Sequence, residues 1–139
     1  MKFLLILVFL MTNSLLSEEK IECPSSIQVN KTSTAPSDWK FFSGSNSHLL
    51  ARVGFYSGNP NEEASLVPDS TKTKKKESVD TWRFLSKKTH AIWIACYYIG
   101  VDSFLAKEIE DNIKVCHVNY KTNKLGTRLS VKGIFCKHY

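Results

Sequence analysis

Short runs of residues that alternate apolar and polar, each closed by turn-forming residues, most constrain what this chain can become. Residues 48–56 place Leu49, Ala51, Val53 and Phe55 on one side, with His48, Leu50, Arg52 and Tyr56 on the other. Strict alternation of this kind marks a half-buried strand, because successive side chains on a strand point to opposite faces. Residues 79–85 set Trp82 and Phe84 against Val79 and Leu85, and residues 114–120 line up Cys116, Val118 and Tyr120. The last run, 128–136, turns Leu129, Val131 and Phe135 to one face. Residues 26–29 read as a short first strand and 38–42 as a candidate second. Residues 90–99 are apolar on both faces, as in a strand covered on both sides in mid-sheet.

The punctuation is as regular as the runs. Residues 57–61 contain Gly58, Asn59 and Pro60, residues 86–89 suit a hairpin connection, and 123–126 end in Gly126. A turn at 123–126 pairs the last two strands antiparallel. Residues 103–113 fit two patterns: a helical turn through Phe104, Leu105, Glu108 and Ile109, or a strand over 104–107 paired back on 93–98. About seven short strands with turns at roughly ten-residue spacing predict a mainly β fold. It is a compact antiparallel sheet, sandwich or small barrel, with room for one short helix at 103–113.

The beginning of the chain is built differently. Lys2 precedes an apolar run from Phe3 to Met11, and Thr12, Ser14 and Ser17 follow before the charged Glu18, Glu19 and Lys20. A basic start, a short apolar core and small residues form the pattern of an export leader. The core is too short for a membrane span of about 20 residues. Cleavage is expected after Ser17, with Ser14 the alternative, so that 1–17 is the leader and 18–139 one exported, β-rich domain in the periplasm or secreted. No transmembrane segment is expected in the mature part. Ile21 and Glu22 stand where a lipid-modified cysteine would need small residues, which argues against an anchor at Cys23.

Export changes how the cysteines read. Cys23, Cys96, Cys116 and Cys136 all follow the leader, and in an oxidising compartment four cysteines in a small domain imply two disulfides. Their wide spacing lacks the close pairs of a zinc site. Of the three pairings, Cys23 with Cys136 and Cys96 with Cys116 is the expected one. It would tie the first strand to the last across more than about 100 residues, a closure worth about 4–5 kcal/mol in the chain-entropy model.

No constellation for catalysis is legible. His48, His90, His117 and His138 are scattered, and Glu62 and Glu63, like Glu108, Glu110 and Asp111, sit in polar segments. There is no nucleophile elbow, no metal-ligand spacing and no cofactor motif, so the expectation is a non-enzymatic binding protein without metal or cofactor. The formal net charge is +6, one unit of which is Lys2 in the leader. This modest balance favours acidic partners but is too dispersed for nucleic acid. It concentrates in Lys72, Lys74, Lys75 and Lys76, within the polar stretch 62–78, as a solvated turn or a contact for an anionic partner. Tyr97 and Tyr98 must point to opposite faces, so one of them is a surface aromatic of the kind that anchors interfaces. The candidate contact residues are therefore the four lysines and Tyr97. Asn30, Lys31 and Thr32 form a glycosylation sequon, relevant only in a host that uses it.

Cys23-Pro24, Gly58-Asn59-Pro60, Leu66-Val67-Pro68, Trp82, the run Trp93-x-x-Cys96-x-Tyr98, and the late Cys116 and Cys136 together resemble a family of small exported, disulfide-bonded proteins of Gram-negative bacteria without assigned function. Some proteins of this broad type look like immunity proteins that neutralise envelope-attacking toxins. The resemblance implies a protein partner, an envelope enzyme or toxin, and an inhibitor-type role. The alternative is a module binding wall glycan or anionic lipid.

Overall fold

In the computed structural model the described residues are 17–30, 35–38, 40, 42 and 46–139. The leader up to residue 16 lies outside them, as do Lys31 and Thr32 of the sequon, and Trp39 and Phe41 of the candidate strand at 38–42. Ten strands follow in order: β1 (Glu18–Ile21), β2 (Ser26–Gln28), β3 (Ser47–Ser57), β4 (Ser65–Leu66), β5 (Ser70–Lys74), β6 (Glu77–Arg83), β7 (Ile92–Tyr98), β8 (Phe104–Glu108), β9 (Ile113–Thr122) and β10 (Arg128–His138). A 3₁₀ turn at Pro60–Glu62 is capped by the Asn59 side chain. One sheet runs β1-β10-β9-β6-β5 and the other β2-β3-β7-β8, with β4 also on β3. Every pairing is antiparallel. The sheets curl into a half-barrel.

β9 shows why these residues make a sheet. Cys116, Val118, Tyr120 and Thr122 all point inward and are essentially fully buried, while Lys114 and Lys121 face solvent. Facing them across the core, β3 supplies Val53 and Phe55, and β7 supplies Ile92 and Ile94. Phe55 packs on Trp82 at 4.9 Å and on Phe84 at 5.5 Å between ring centroids, joining the layers. Because the apolar sides of β6 and β7 face each other across this core, their connection passes from one sheet to the other. The hairpin expected at 86–89 does not form: β6 pairs with β5 and β9, and β7 with β3 and β8.

At 103–113 the strand alternative holds, with β8 paired on β7 from Phe104 opposite Tyr97 to Glu108 opposite Trp93. The candidate strand at 38–42 is not seen where it is described. Asp38 lies in a turn, and Lys40 and Phe42 are outside any strand. β2 and β4 already occupy that edge of β3.

Two expected inward faces change sides at bulges. β3 carries an extra residue between Leu50 and Arg52, so Val53 and Phe55 are core while Leu49 is exposed. In β10, irregularities at 128–130 and 131–133 turn Ile134 and Cys136 inward; Leu129 is exposed and Phe135 only partly covered. One inserted residue reverses every side chain beyond it. The Phe135 ring then lies over Gly133, where a Cβ would come within 2.7 Å of it.

The disulfide pairing differs from expectation: Cys116 bonds Cys136, and Cys23 bonds Cys96. Cys116 and Cys136 are direct cross-strand partners, with Cα atoms 4.1 Å apart. The expected first strand at 26–29 is β2 and pairs with β3, not with the last strand. β1, which the sequence did not lead us to expect, lies beside β10 with Glu19 opposite Cys136. Cys23 lies four residues further on, where the chain crosses to the second sheet and reaches Cys96 of β7. The Tyr98 hydroxyl donates to the Pro24 carbonyl at 3.0 Å and fixes the same crossing.

Non-reducing peptide mapping is expected to recover the linked pairs 23–96 and 116–136. Sequence separations of 73 and 20 give losses of about 4 and about 3 kcal/mol when each pair is replaced by alanine, read by denaturant unfolding. Tyr120→Phe, which removes the hydroxyl bonded to both backbone groups of Val53, is expected to cost about 2 kcal/mol in the same measurement.

Candidate partner-binding surface

The lysine run forms the tip of a tight hairpin. Lys74 faces Glu77 across a two-residue turn of Lys75 and Lys76, and Lys75 takes a left-handed φ of 55°. The Lys76 carbonyl accepts from the Thr122 N–H at 2.7 Å, which moors the tip to β9. Thr71 and Thr73 on β5 turn toward Asp80 and Ser78. By alternation Lys72 and Lys74 project from the opposite side, and all four lysines are exposed. Much of the polar stretch 62–78 is thus strand, since hydroxyl partners on the inner side suit it to a ladder.

The tyrosine pair separates as its alternation requires. Tyr98 is buried, whereas Tyr97 lies half-buried on the outer face of the second sheet. Its ring meets Phe104 at 4.9 Å, and its hydroxyl hydrogen-bonds that of Tyr56 at 2.5 Å. Tyr56 in turn stacks on Phe104. The Arg52 guanidinium sits over the Tyr97 ring, 3.7 Å from its centroid. Burial, with the Tyr56 hydrogen bond second, pushes the Tyr97 phenol from 10.0 up to about 12, against the opposing pull of Arg52.

Arg52 and Tyr97 stand on one side of a cleft of about 310 Å³ at the edge of β3. Thr71, Asp80 and Trp82 come from the other sheet, Arg128 from the start of β10, Leu66 from β4 and Pro68 from the segment that follows it. The Trp82 indole N–H donates to the Leu66 carbonyl at 3.0 Å and holds that segment in place. Asp80 is buried; it accepts from the Thr71 hydroxyl and from Arg128, each at 2.6 Å. Arg128 also lies over the Tyr120 ring, 4.2 Å from its centroid. Tyr97 lines this cleft and the four lysines do not: β5 contributes Thr71 to it and then runs on into the lysine tip, with Lys72 and Lys74 projecting from the opposite side of the strand.

Arg52, Asp80 and Arg128 were not among the sequence candidates. Asp80 carried a usable signal, an acid on the face it shares with Trp82 and Phe84, since a buried carboxylate requires a partner. The histidines remain apart. His48 contacts the Ile99 carbonyl, His117 contacts the Thr81 hydroxyl, and His90 is exposed. His138 bonds Asn112 and approaches Glu19 and Glu110. Among the described residues Glu19, Glu110 and His138 are the group whose possible ligand atoms converge, within 4.8 Å of one another, at the surface. Also among the described residues, no helix is long and apolar enough to cross a membrane.

A disulfide-braced β scaffold with a charged cleft and a cationic hairpin is a small protein suited to presenting a recognition surface. A family model described as "Type VI secretion system Tli immunity protein" matches residues 29–137, and the chain belongs to that family. It is also similar to an uncharacterised 16.3 kDa protein from the trpG 5′ region of Azospirillum brasilense. That relative is 22% identical over 113 residues, 77% of this chain and 75% of the relative. No solved structure matches.

The raised Tyr97 pKa has a direction that can be measured. The folded state holds the phenolic proton more tightly, so this contribution to stability is complete below pH 10 and declines as pH rises toward about 12. Burial raises Tyr98 and Tyr120 as well, so the phenol ionising near 12 in an ultraviolet titration is assigned to Tyr97 by its absence from Tyr97→Phe. Tyr56→Phe should lower that value without restoring it fully to 10, because burial is the larger cause.

Proposed function

We propose that this protein neutralises a secreted effector outside the cytoplasm, by binding it rather than by catalysis, and that the effector is an enzyme acting on the cell envelope. The family match over 29–137 carries the reading, because it supplies the immunity role. The leader pattern of 1–17 and the two disulfides, which form and persist in oxidising surroundings, support that compartment. Cleavage after Ser17 leaves β1 intact from Glu18 to pair with β10, so 18–139 is the working unit in the periplasm. Lys72, Lys74, Lys75, Lys76 and Tyr97 form the contact surface. Its cations draw in an acidic rim around the effector's active site, and Tyr97 supplies the buried aromatic contact.

The test is competition between sibling strains. A host lacking this gene is expected to be lost against its parent only while the parent's type VI secretion is active. The full chain should restore survival, and a copy beginning at Glu18 and retained in the cytoplasm should not. Equal survival without the gene would sink the immunity role. Rescue by the leaderless copy would sink only its placement outside the cytoplasm.

A further inference from the structure

The cleft at the edge of β3 holds chemistry that the lysine hairpin does not explain. Two of its three charged groups satisfy each other, since Asp80 is buried and takes both Arg128 and the Thr71 hydroxyl. Arg52 is the third. It is exposed and makes no ion pair with a carboxylate among the described residues. Its guanidinium lies on the Tyr97 ring and also hydrogen-bonds the Tyr97 side chain; the remaining N–H donors of the fork can still meet a coplanar, bidentate acceptor. The ring beneath it is itself fixed by Tyr56 and Phe104, so the donor fork is held before any ligand arrives.

We propose that this cleft is the anchor pocket for an acidic protrusion of the protein partner, a short loop that places one Asp or Glu carboxylate on Arg52. The carboxylate accepts two N–H bonds from the guanidinium, and the stem of the same side chain packs on Tyr97, Leu66 and Pro68. A space of about 310 Å³ admits one or two side chains and no larger body. Charge favours a carboxylate over a phosphate monoester, which carries nearly two negative charges. Asp80 has already neutralised Arg128, which leaves a single positive charge to meet a single negative one. An Arg packed on Tyr beside an apolar wall is also the composition that concentrates binding energy at protein interfaces. The exposed lysines of the hairpin speed the encounter, an effect screened over about 8 Å at physiological salt; Arg52 holds the complex once formed.

This inference rests on the immunity reading, and the competition assay separates their failures. Full-length Arg52→Gln, Arg52→Lys and a Lys74→Ala/Lys75→Ala/Lys76→Ala triple variant are expressed in the gene-deleted host, with periplasmic level and thermal unfolding checked for each. Arg52→Gln keeps most of the stem and removes the charge; it is expected to weaken effector binding by about 30-fold or more and to abolish protection. Arg52→Lys should retain part of it, and the lysine triple should protect, with a deficit that shrinks at high salt. Failure of the wild-type chain itself to protect would sink the immunity reading. Wild-type protection matched by Arg52→Gln would overturn the pocket alone, as would loss of protection in the lysine triple but not in Arg52→Gln. Co-sedimentation of the mature chain with phosphatidylglycerol vesicles that disappears in Arg52→Gln would overturn it as well, by assigning Arg52 to lipid phosphate. If Arg52→Gln lowers the unfolding temperature, Arg52→Lys decides: partial or lost protection in a stably folded Lys variant supports the bidentate contact, and full protection overturns it.

Discussion

One phenol, alongside the Trp82–Leu66 hydrogen bond, latches the two sheets together. β2 covers the start of β3 and β4 covers its end, so between them the N–H and C=O of Val53 turn toward the core without a strand to receive them. A buried backbone group left unpaired costs as much as a lost hydrogen bond or more. The Tyr120 hydroxyl, which can both donate and accept, takes the N–H and gives to the C=O, each at 3.3 Å. It reaches them from the centre of the other sheet with its ring wholly buried. The sheet edge is closed by a side chain, and the space a further strand would have filled stays open as the cleft. Arg128 then stacks on the same ring and reaches Asp80, so the floor of the cleft and the latch of the core share their residues.

Much of this was legible in the sequence, and where it was not the cause is local. The stripe Cys116, Val118, Tyr120 was read correctly because β9 keeps its alternation unbroken from Cys116 to Thr122. In β3 and β10 the same rule gave the wrong inner face on one side of each bulge, since an inserted residue reverses the alternation without changing the composition. The cysteines illustrate a different limit. The expected bridge required the strand at 26–29 to lie beside the last one, but that strand, β2, pairs with β3, and β1 takes the place beside β10; hydrophobic pattern gave neither the partner nor the register. Register puts Glu19, not Cys23, opposite Cys136, and that offset decides the pairing. At 103–113 the periodicity fitted helix and strand alike, and pairing on β7, a tertiary effect, settled it.

The candidate surface was half legible for a related reason. A lysine run is contiguous, so it is visible in any reading, and the choice within Tyr97 and Tyr98 follows once a strand is assigned. Asp80 and Arg128 are 48 positions apart, and Arg52 meets Tyr97 only through the pairing of β3 with β7. Sites assembled across strands leave no spacing to find. What the sequence did contain is a change in the inner face of the first sheet. Trp82 and Phe84 give way along β6 to Asp80 and Ser78, faced by Thr71 and Thr73 on β5. A strand whose inward side turns polar toward one end has stopped lining a core there and has begun lining a recess.

Rigidity connects this architecture to recognition. Association costs rotamer freedom at each side chain that must be ordered, about 0.5–1.5 kcal/mol apiece, and an arginine is among the residues with most to lose. Here that loss is largely taken at folding. Arg52 lies on Tyr97, Tyr97 is held by Tyr56 and Phe104, and Tyr97 directly follows Cys96, which is bonded to Cys23. Across the cleft, Arg128 is fixed by Asp80, and Tyr120 stands four residues from the disulfide-bonded Cys116. Both walls are therefore braced by a covalent link through a few contacts, without placing any sulfur in the recess itself. A core this small would leave such a recess free to collapse or splay; the two disulfides and the Tyr120 latch keep it open in one shape, and the exposed guanidinium waits there already oriented.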